Sequence, residues 1–465
     1  MSEMDGSAGP NKLQRLIGKL KGDQGLGGRS RRAAFWTFFG FGTHNALRLI
    51  SNLILTRLLS PEIFGLMALA QVFLQGIRML SDVGTNASVI RSERGEDPDF
   101  LNTAWTVQVI RGGLVAAIAC LIAWPIAQLY QQPVLFPIIC ALALTPILSG
   151  FNSVSLATVN RKLMLRQSTL AGVVARCVTV LVTILAAWWL QSVWALVIGA
   201  LTGAILQLAI THLILPPFQH RLMLERSALK DIIRFGRWIL FGTAFTFLAD
   251  KGQQAIYGLI VPVEILGQIA IAVLLASLPA ALVTRLLQQV VFPSFSEVRR
   301  NRPEDLPRIL RRVRLAVAAA TFPVYFTLSF FAQPLVDLLY DDRYATAGVF
   351  LALTTLNGAI TMLAKPYQSL LLADGRSDLH AMLMFISAAL GTLGIILGYE
   401  ISGIIGSFVG VGIAFSVNFL ANVVVAKRRG YETGVIDFIA LALVAAFYAY
   451  ALLTLDAPES LLVAG

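Results

Sequence analysis

Residues 33–86 read AAFWTFFGFGTHNALRLISNLILTRLLSPEIFGLMALAQVFLQGIRMLSDVGTN, two mostly apolar runs on either side of Leu59-Ser-Pro-Glu62. At about 1.5 Å per helical residue, each run is long enough to cross a hydrocarbon core about 30 Å thick. Neither run is purely apolar. His44, Arg48 and Asn52 recur every four residues in the first, and Gln71, Gln75, Arg78 and Asp82 fall at i, i+4, i+7 and i+11 in the second. Those spacings put each set on one helical face. A charged side chain at bilayer depth costs about 2.5–3.5 kcal/mol and rarely faces lipid. The hairpin is therefore expected to be two membrane helices whose polar stripes face protein or a cavity.

Part of this stretch returns later in the chain. A shift of 202 residues lays Arg32, Trp36, Phe39, Gly40, Ile54, Glu62, Ile63, Gly65, Ala68 and Ala70 on Arg234, Trp238, Phe241, Gly242, Ile256, Glu264, Ile265, Gly267, Ala270 and Ala272. Two similar apolar hairpins can match by composition, but the Trp36/Trp238 and Glu62/Glu264 identities are not compositional. A parallel internal repeat is a mark of transporters built from two similar lobes.

The whole composition agrees with the hairpin. The 465 residues are 57% hydrophobic and 14% charged, with net charge +11; the charged share is about half that of a soluble protein. Spans are expected near 33–57, 63–86, 100–128, 134–158, 167–188, 192–215, 235–260, 264–292, 315–335, 346–373, 378–399, 402–425 and 436–455. The chain then reads as an all-α polytopic membrane protein. It divides into a basic cytoplasmic tail (1–32), a six-helix lobe (33–215), a linker (216–234), a second six-helix lobe (235–425), and a basic loop, thirteenth helix and short tail (426–465).

Cytoplasmic loops collect Lys and Arg. With the N-terminus inside, the inner segments hold 28 of the 37 basic residues and the outer segments hold two, Arg57 and Arg343. The remaining seven, Arg48, Arg78, Arg111, Arg176, Lys251, Arg285 and Lys365, fall inside spans, where the only acids beyond the first two residues of a span are Asp82 and Asp250. Arg48, Arg111 and Arg176 sit near mid-depth, and Arg78 and Lys365 in the inner half. Further stripes are Gln108 with Arg111, Arg176 with Thr179 and Thr183, and Asn357, Thr361, Lys365 and Gln368.

Plainer roles are open for several of these groups. Arg285, at an inner span end, can snorkel to the interface. Lys251 can pair with Asp250, and Asp82 can cap a helix end or pair with Arg78. Arg48, Arg111 and Arg176 can bond backbone carbonyls between helices. Three mid-depth arginines with so little acid nevertheless suit an anionic ligand, because the guanidinium stays charged and grips phosphate in a bidentate fork. Cys120, Cys140 and Cys177 have neither paired nor metal-type spacing. There is no nucleotide-cradling loop, His-rich metal spacing or nucleophile elbow, so neither a cofactor nor a metal is expected. The basic excess, sorted this way, points to topology and an anion and not to nucleic acid.

The stretch Leu59-Ser-Pro-Glu-Ile-Phe-Gly-Leu-Met-Ala-Leu-Ala70, with Ser81-Asp-Val-Gly84 and Ile90, resembles the first hairpin of the bacterial polysaccharide transporters. These are the Wzx-like oligosaccharide flippases of the multidrug/oligosaccharidyl-lipid/polysaccharide exporter superfamily. Leu101-Asn-Thr-Ala-Trp105, Arg161-Lys-Leu-Met164, Val291-Phe-Pro-Ser-Phe295 and Phe331-Ala-Gln-Pro-Leu335 extend the resemblance over about residues 33–425. Two departures stand out. Members commonly have twelve or fourteen spans where this chain has room for thirteen, and Gln268 follows Gly267 where the family often has an aromatic residue.

The resemblance implies a two-lobe bundle in the bacterial inner membrane. By alternating access it would move an undecaprenyl-pyrophosphate-linked sugar repeat to the outer leaflet for exopolysaccharide, capsule or O-antigen synthesis. Polysaccharide polymerase and glycosyltransferases would be pathway partners, alongside membrane lipids. Carried onto this chain, the substrate-binding candidates are Arg48, Arg78, Arg111, Arg176 and Lys365, with His44, Asn52 and Gln75. Asp82, Asp250 and Lys251 are candidates for an ion pair or for coupling, with the coupling ion undecided between proton and sodium. Three rivals are a lipid II flippase, a multidrug/cation antiporter of the same superfamily, and a membrane enzyme acting on lipid-linked glycans. The antiporter would want acids in its cavity. The enzyme would need a catalytic carboxylate on the outer face, where Glu62, Glu264, Asp337, Asp341, Asp342 and Glu400 are scattered.

Overall fold

A computed structural model describes residues 26–454 except 83, 93, 162–164 and 432–433. Most of the predicted basic tail, including Met1 to Gly25, lies outside the described residues, as does the side chain of Asp250. The described chain is all helical. The first half contains α1 (Leu26–Leu58), α2 (Pro61–Leu80), α3 (Thr85–Arg91), α4 (Pro98–Leu129), α5 (Leu135–Leu142), α6 (Leu144–Gly150), α7 (Ser155–Arg161), α8 (Leu165–Leu190) and α9 (Val193–Leu213). The second half contains α10 (Arg226–Ile260), α11 (Val263–Leu286), α12 (Phe292–Asn301), α13 (Leu306–Phe330), α14 (Ala332–Leu339), α15 (Ala347–Ala373), α16 (Ser377–Arg428) and α17 (Val435–Thr454).

Each of the thirteen predicted spans has a helical counterpart, and among the described residues nine helical runs are individually long and apolar enough to cross a membrane. α16 has 52 residues, about 78 Å at 1.5 Å each, too long for one crossing. It is broken at Ser402 and at Gly403, where φ 58° and ψ −147° form a backbone shape that side chains exclude. The two halves fold back on each other as the predicted pair 378–399 and 402–425.

Two expected boundaries change. The fourth span is two short helices, because Pro146 has no N–H to give Leu142 O and the Thr145 hydroxyl takes that carbonyl instead, at 2.8 Å. The expected linker at 216–234 is shorter, since α10 already starts at Arg226. The segment ahead of α10 is stitched to α4: the N–H groups of Arg221, Met223 and Glu225 donate to Asn102 Oδ1, Thr106 Oγ1 and Thr103 Oγ1 at 2.8, 2.9 and 3.0 Å. Buried polar residues near the start of α4 thus satisfy an extended chain that has no strand partner.

In the first lobe α8 packs on α1 and α9, and α4 on α5 and α6. In the second, α15 is the central helix, packed by α11, α13, α16 and α17. The lobes meet where α2 crosses α11 and α10. Gly65 of α2 lies so close to α11 that a Cβ there would stand 2.0 Å from Val263 O, and one on Gly267 would stand 1.8 Å from Pro61 O.

The thirteenth helix, α17, docks through a buried charge. Asp437 pairs with Arg314 of α13 and accepts a hydrogen bond from the Tyr367 hydroxyl of α15 at 2.9 Å. The Arg314 guanidinium also lies 5.0 Å from the Tyr367 ring centroid. Along the same helix Phe447 stacks on Phe326 at 4.0 Å.

Candidate functional site

Three cavities open along the first lobe and its border with the second. The largest, about 670 Å³, lies between α1, α8 and α9 and is lined by Trp36, Phe41, His44, Arg176, Gln207 and Arg285, among others. A second, about 270 Å³, lies between the lobes and is lined by Arg48, Asn52, Gln71, Gln75, Arg176 and Lys251, among others. Arg176 borders both. The third, about 400 Å³, is within the first lobe between α2, α4 and α6, around Arg78, Asp82, Gln108 and Arg111.

The predicted stripes are therefore divided by depth. On α1, His44 serves the larger cavity while Arg48 and Asn52 serve the interlobe one. On α2, Gln71 and Gln75 face the interlobe cavity, whereas Arg78 and Asp82, nearer the helix end, line the cavity inside the lobe. His44, Arg48 and Arg176 are within electrostatic reach of one another.

Their partners separate the two groups further. Arg111 pairs with Asp82 at 3.1 Å and donates to Arg78 O at 2.7 Å. Asp82 was open to capping a helix end or pairing with Arg78; its ion-pair partner is Arg111 across the α2–α4 contact, and it also accepts from Gly84 N at 2.9 Å. Gln108 is committed to backbone as well, donating to the carbonyls of Ser149, Gly150 and Asn152 at 3.0–3.2 Å. No ion pair joins Arg48 or Arg176 to a described acid, and Arg176 Nε is buried without a hydrogen-bond partner.

The two candidate lysines of the second lobe differ in placement. Lys365, on α15, is within electrostatic reach of His380 on α16 and lines none of the three cavities. Its stripe mates are absorbed into packing: Asn357 donates to Phe408 O at 3.1 Å, and Gln368 is buried. Lys251 reaches the interlobe cavity, while the position of the Asp250 side chain lies outside the described residues.

Arg285, a candidate for snorkelling to the interface, lies over the Phe41 ring of α1, 4.9 Å from the centroid, with its Nε buried and unpartnered. Trp36 and Gln207 complete that wall. Trp36 was visible in the sequence as half of the Trp36/Trp238 repeat pair, and Gln207 as a lone amide in an apolar run. Nothing in the sequence places Arg285 against α1.

The cavity walls offer fixed positive charge, neutral amides and hydroxyls, and the aromatic rings of Trp36, Phe41 and Phe64. Among the described lining residues of the interlobe and the largest cavities there is no carboxylate. In a water-poor site such charge acts through a low effective dielectric and strengthens. The fold and these walls define a multi-span membrane protein of transporter architecture with a cationic interior.

Comparison with known proteins gives the family. The model of the polysaccharide biosynthesis protein family matches residues 54–348, so the chain belongs to that family. It is 21% identical over 369 residues to lipopolysaccharide biosynthesis protein WzxC of Escherichia coli K12, covering 78% of this chain and 74% of that one. It is 20% identical over 315 residues to succinoglycan biosynthesis transport protein ExoT of Rhizobium meliloti, covering 68% and 63%. In three dimensions it is similar to the lipid II flippase MurJ in an inward closed conformation, with TM-score 0.68, 13% identity and coverage of 92% and 94%. A multidrug resistance MATE family transporter of the MOP superfamily, inward-facing, gives TM-score 0.65 at 12% identity over 87% and 96%. The all-helical fold is therefore similar to that of MurJ and of the MATE transporters.

Proposed function

We propose that this protein carries a polyprenyl-pyrophosphate-linked oligosaccharide across the cytoplasmic membrane by alternating access, without covalent change to its cargo. The observation that carries the proposal is the pair of cavities sharing Arg176. Arg48 and Lys251 line one and His44 and Arg285 the other, with no described carboxylate on either wall. Arg176 and Arg48 would take the pyrophosphate, because each guanidinium offers a charged planar fork at any physiological pH. Asn52, Gln71 and Gln75 would hydrogen-bond sugar hydroxyls, and Trp36 and Phe41 would cover their apolar faces. The lipid chain would remain in the bilayer.

In this reading residues 33–215 and 235–425 move as two bodies, the N-terminus and the basic loops face the cytoplasm, and the membrane is the bacterial inner membrane. The loop charges support that orientation through the positive-inside rule. Relatives named for lipopolysaccharide and succinoglycan biosynthesis support a surface-polysaccharide pathway, with its glycosyltransferases and polymerase as partners. Arg111, tied to Asp82 and to the Arg78 carbonyl, would shape the lobe, and Arg78, which lines the cavity inside that lobe, would contact cargo less directly.

The test is deletion followed by complementation. Loss of surface polysaccharide without lysis, restored by the parent gene but not by Arg176→Ala, is expected. Lysis on deletion would overturn the reading in favour of a cell-wall lipid as cargo.

A further inference from the structure

Only two basic residues fall in the loops assigned to the outer face, Arg57 and Arg343. The fold brings both to one place, and each reaches the end of a helix in the opposite lobe. Arg57, in the last turn of α1, donates to Leu339 O, the terminal carbonyl of α14, at 3.4 Å. Arg343, just past α14, donates in return to Thr56 O and Arg57 O at 3.3 and 3.2 Å, in the last turn of α1. Asp341 holds the Arg343 guanidinium from behind at 2.6 Å.

The chemistry of this exchange is that of a helix end. The last four carbonyls of a helix lack intrahelical partners and carry its partial negative charge, which a cation satisfies best. Here each lobe supplies the cation that the other lobe's helix lacks. Two tyrosines of the same segment reinforce it: the Tyr344 hydroxyl, buried, donates to Leu59 O at 2.7 Å, and the Tyr340 hydroxyl donates to Asn52 Oδ1 at 3.0 Å. Asn52 is also on the wall of the interlobe cavity.

We propose that Arg57 and Arg343 form a reciprocal latch that holds this end of the two lobes shut, and that Tyr340 links the latch to the cavity through Asn52. Cargo that hydrogen-bonds Asn52 displaces the Tyr340 hydroxyl and loosens the segment that carries Arg343. Opening toward the outer face then requires both helix ends to trade their partner for water. The inference rests on the alternating-access reading and its orientation. Arg57, Arg343 and Tyr344 are positioning residues in it and touch no cargo.

The test is side-specific thiol labelling in a background with Cys120, Cys140 and Cys177 replaced by Ser. The reporter is Ala68→Cys on the interlobe wall, and the probe is a membrane-impermeant methanethiosulfonate. In intact cells the parent is expected to label poorly, and Arg57→Ala/Arg343→Ala severalfold faster. Tyr344→Phe, which keeps the buried ring and removes one bond, is expected to label at an intermediate rate; it keeps the test open if the double variant fails to reach the membrane. Labelling of the same cysteine in inverted vesicles establishes that each variant is folded. Equal outer-face labelling in parent and variants, with normal labelling in inverted vesicles, overturns the latch. Strong outer-face labelling of the parent does so as well. Polysaccharide export in the same strains is read separately, so failure of the transport reading is distinguishable from failure of the latch.

Discussion

Gly65 and Gly267, 202 residues apart in the chain and matched by its internal repeat, occupy equivalent points of one helix crossing. A Cβ on Gly65 would stand 2.0 Å from Val263 O and one on Gly267 would stand 1.8 Å from Pro61 O, and the acceptors are themselves 202 residues apart. The repeat thus marks a pseudo-twofold contact at which the backbones of α2 and α11 touch without side chains between them.

Because backbone cannot move aside as a flexible side chain can, Gly65→Ala or Gly267→Ala should wedge the crossing apart. Overpacking of this kind costs about 1–3 kcal/mol, so closure at this end should fall by about fivefold to a hundredfold, at about 1.36 kcal/mol per factor of ten. Export and membrane abundance measured together check it: abundance near the parent with export strongly reduced is the expected result.

The cavity arginines should respond according to how each is held. Arg176→Ala and Arg48→Ala should abolish export while the protein still inserts, and Arg176→Lys should retain part of it, since charge survives and the bidentate fork does not. Arg285→Ala should weaken export although Arg285 lies at a helix end. Arg111→Ala should instead lower the thermal midpoint in detergent, because it strands Asp82 and the Arg78 carbonyl. Export unchanged in both Arg176→Ala and Arg48→Ala would remove the basis for an anion site.

Breaking the Arg314–Asp437 pair from either side leaves a charge buried without its counterion. The expected cost is about 3–5 kcal/mol for Asp437→Ala or for Arg314→Ala, visible as a lower thermal midpoint. The double change Arg314→Met/Asp437→Leu should recover most of it, since no charge is then left in the α13–α15–α17 contact. A single variant as stable as the parent would contradict the burial of this pair.

His220, on the segment ahead of α10, should give stability a pH slope. Burial, then the neighbouring His212, hold its pKa below the ordinary imidazole value, and Trp105 packs on it at 4.8 Å. The unfolded chain therefore binds a proton that the folded chain refuses, so stability falls as pH drops below about 6.5 and levels off once pH passes the lowered folded pKa. Thermal midpoints from pH 8 to pH 5 should show this fall in the parent and a smaller one in His220→Gln.

Much of the architecture is legible in the sequence because membrane helices satisfy their own backbone and must be apolar over a fixed length. Spans, their number, the repeat and the inward-facing stripes of α1 and α2 all follow from that local rule. What breaks a span is less visible: the interruption before Pro146 depends on a single Thr145 hydroxyl taking the freed carbonyl. The shortened linker depends on Asn102, Thr103 and Thr106, whose side chains gain an extended partner only in three dimensions.

For the site, residue type and depth were enough to nominate His44, Arg48, Asn52, Gln75 and Arg176, because a polar or ionisable group inside a bilayer is costly wherever the chain folds. Which of the nominated cations are available is a different matter, since availability depends on partners contributed by other helices. Arg111 is taken by Asp82, Lys365 is set in the second lobe away from the cavities, and Arg285 is turned onto Phe41. The sequence alone determined that this is a two-lobe membrane bundle with cations inside it. Tertiary structure decided which cations share a cavity, and it brought Arg57 and Arg343, 286 residues apart, onto each other's helix ends. Pairing of charges and capping of helices act over a few ångströms, a distance that residue order along the chain does not encode.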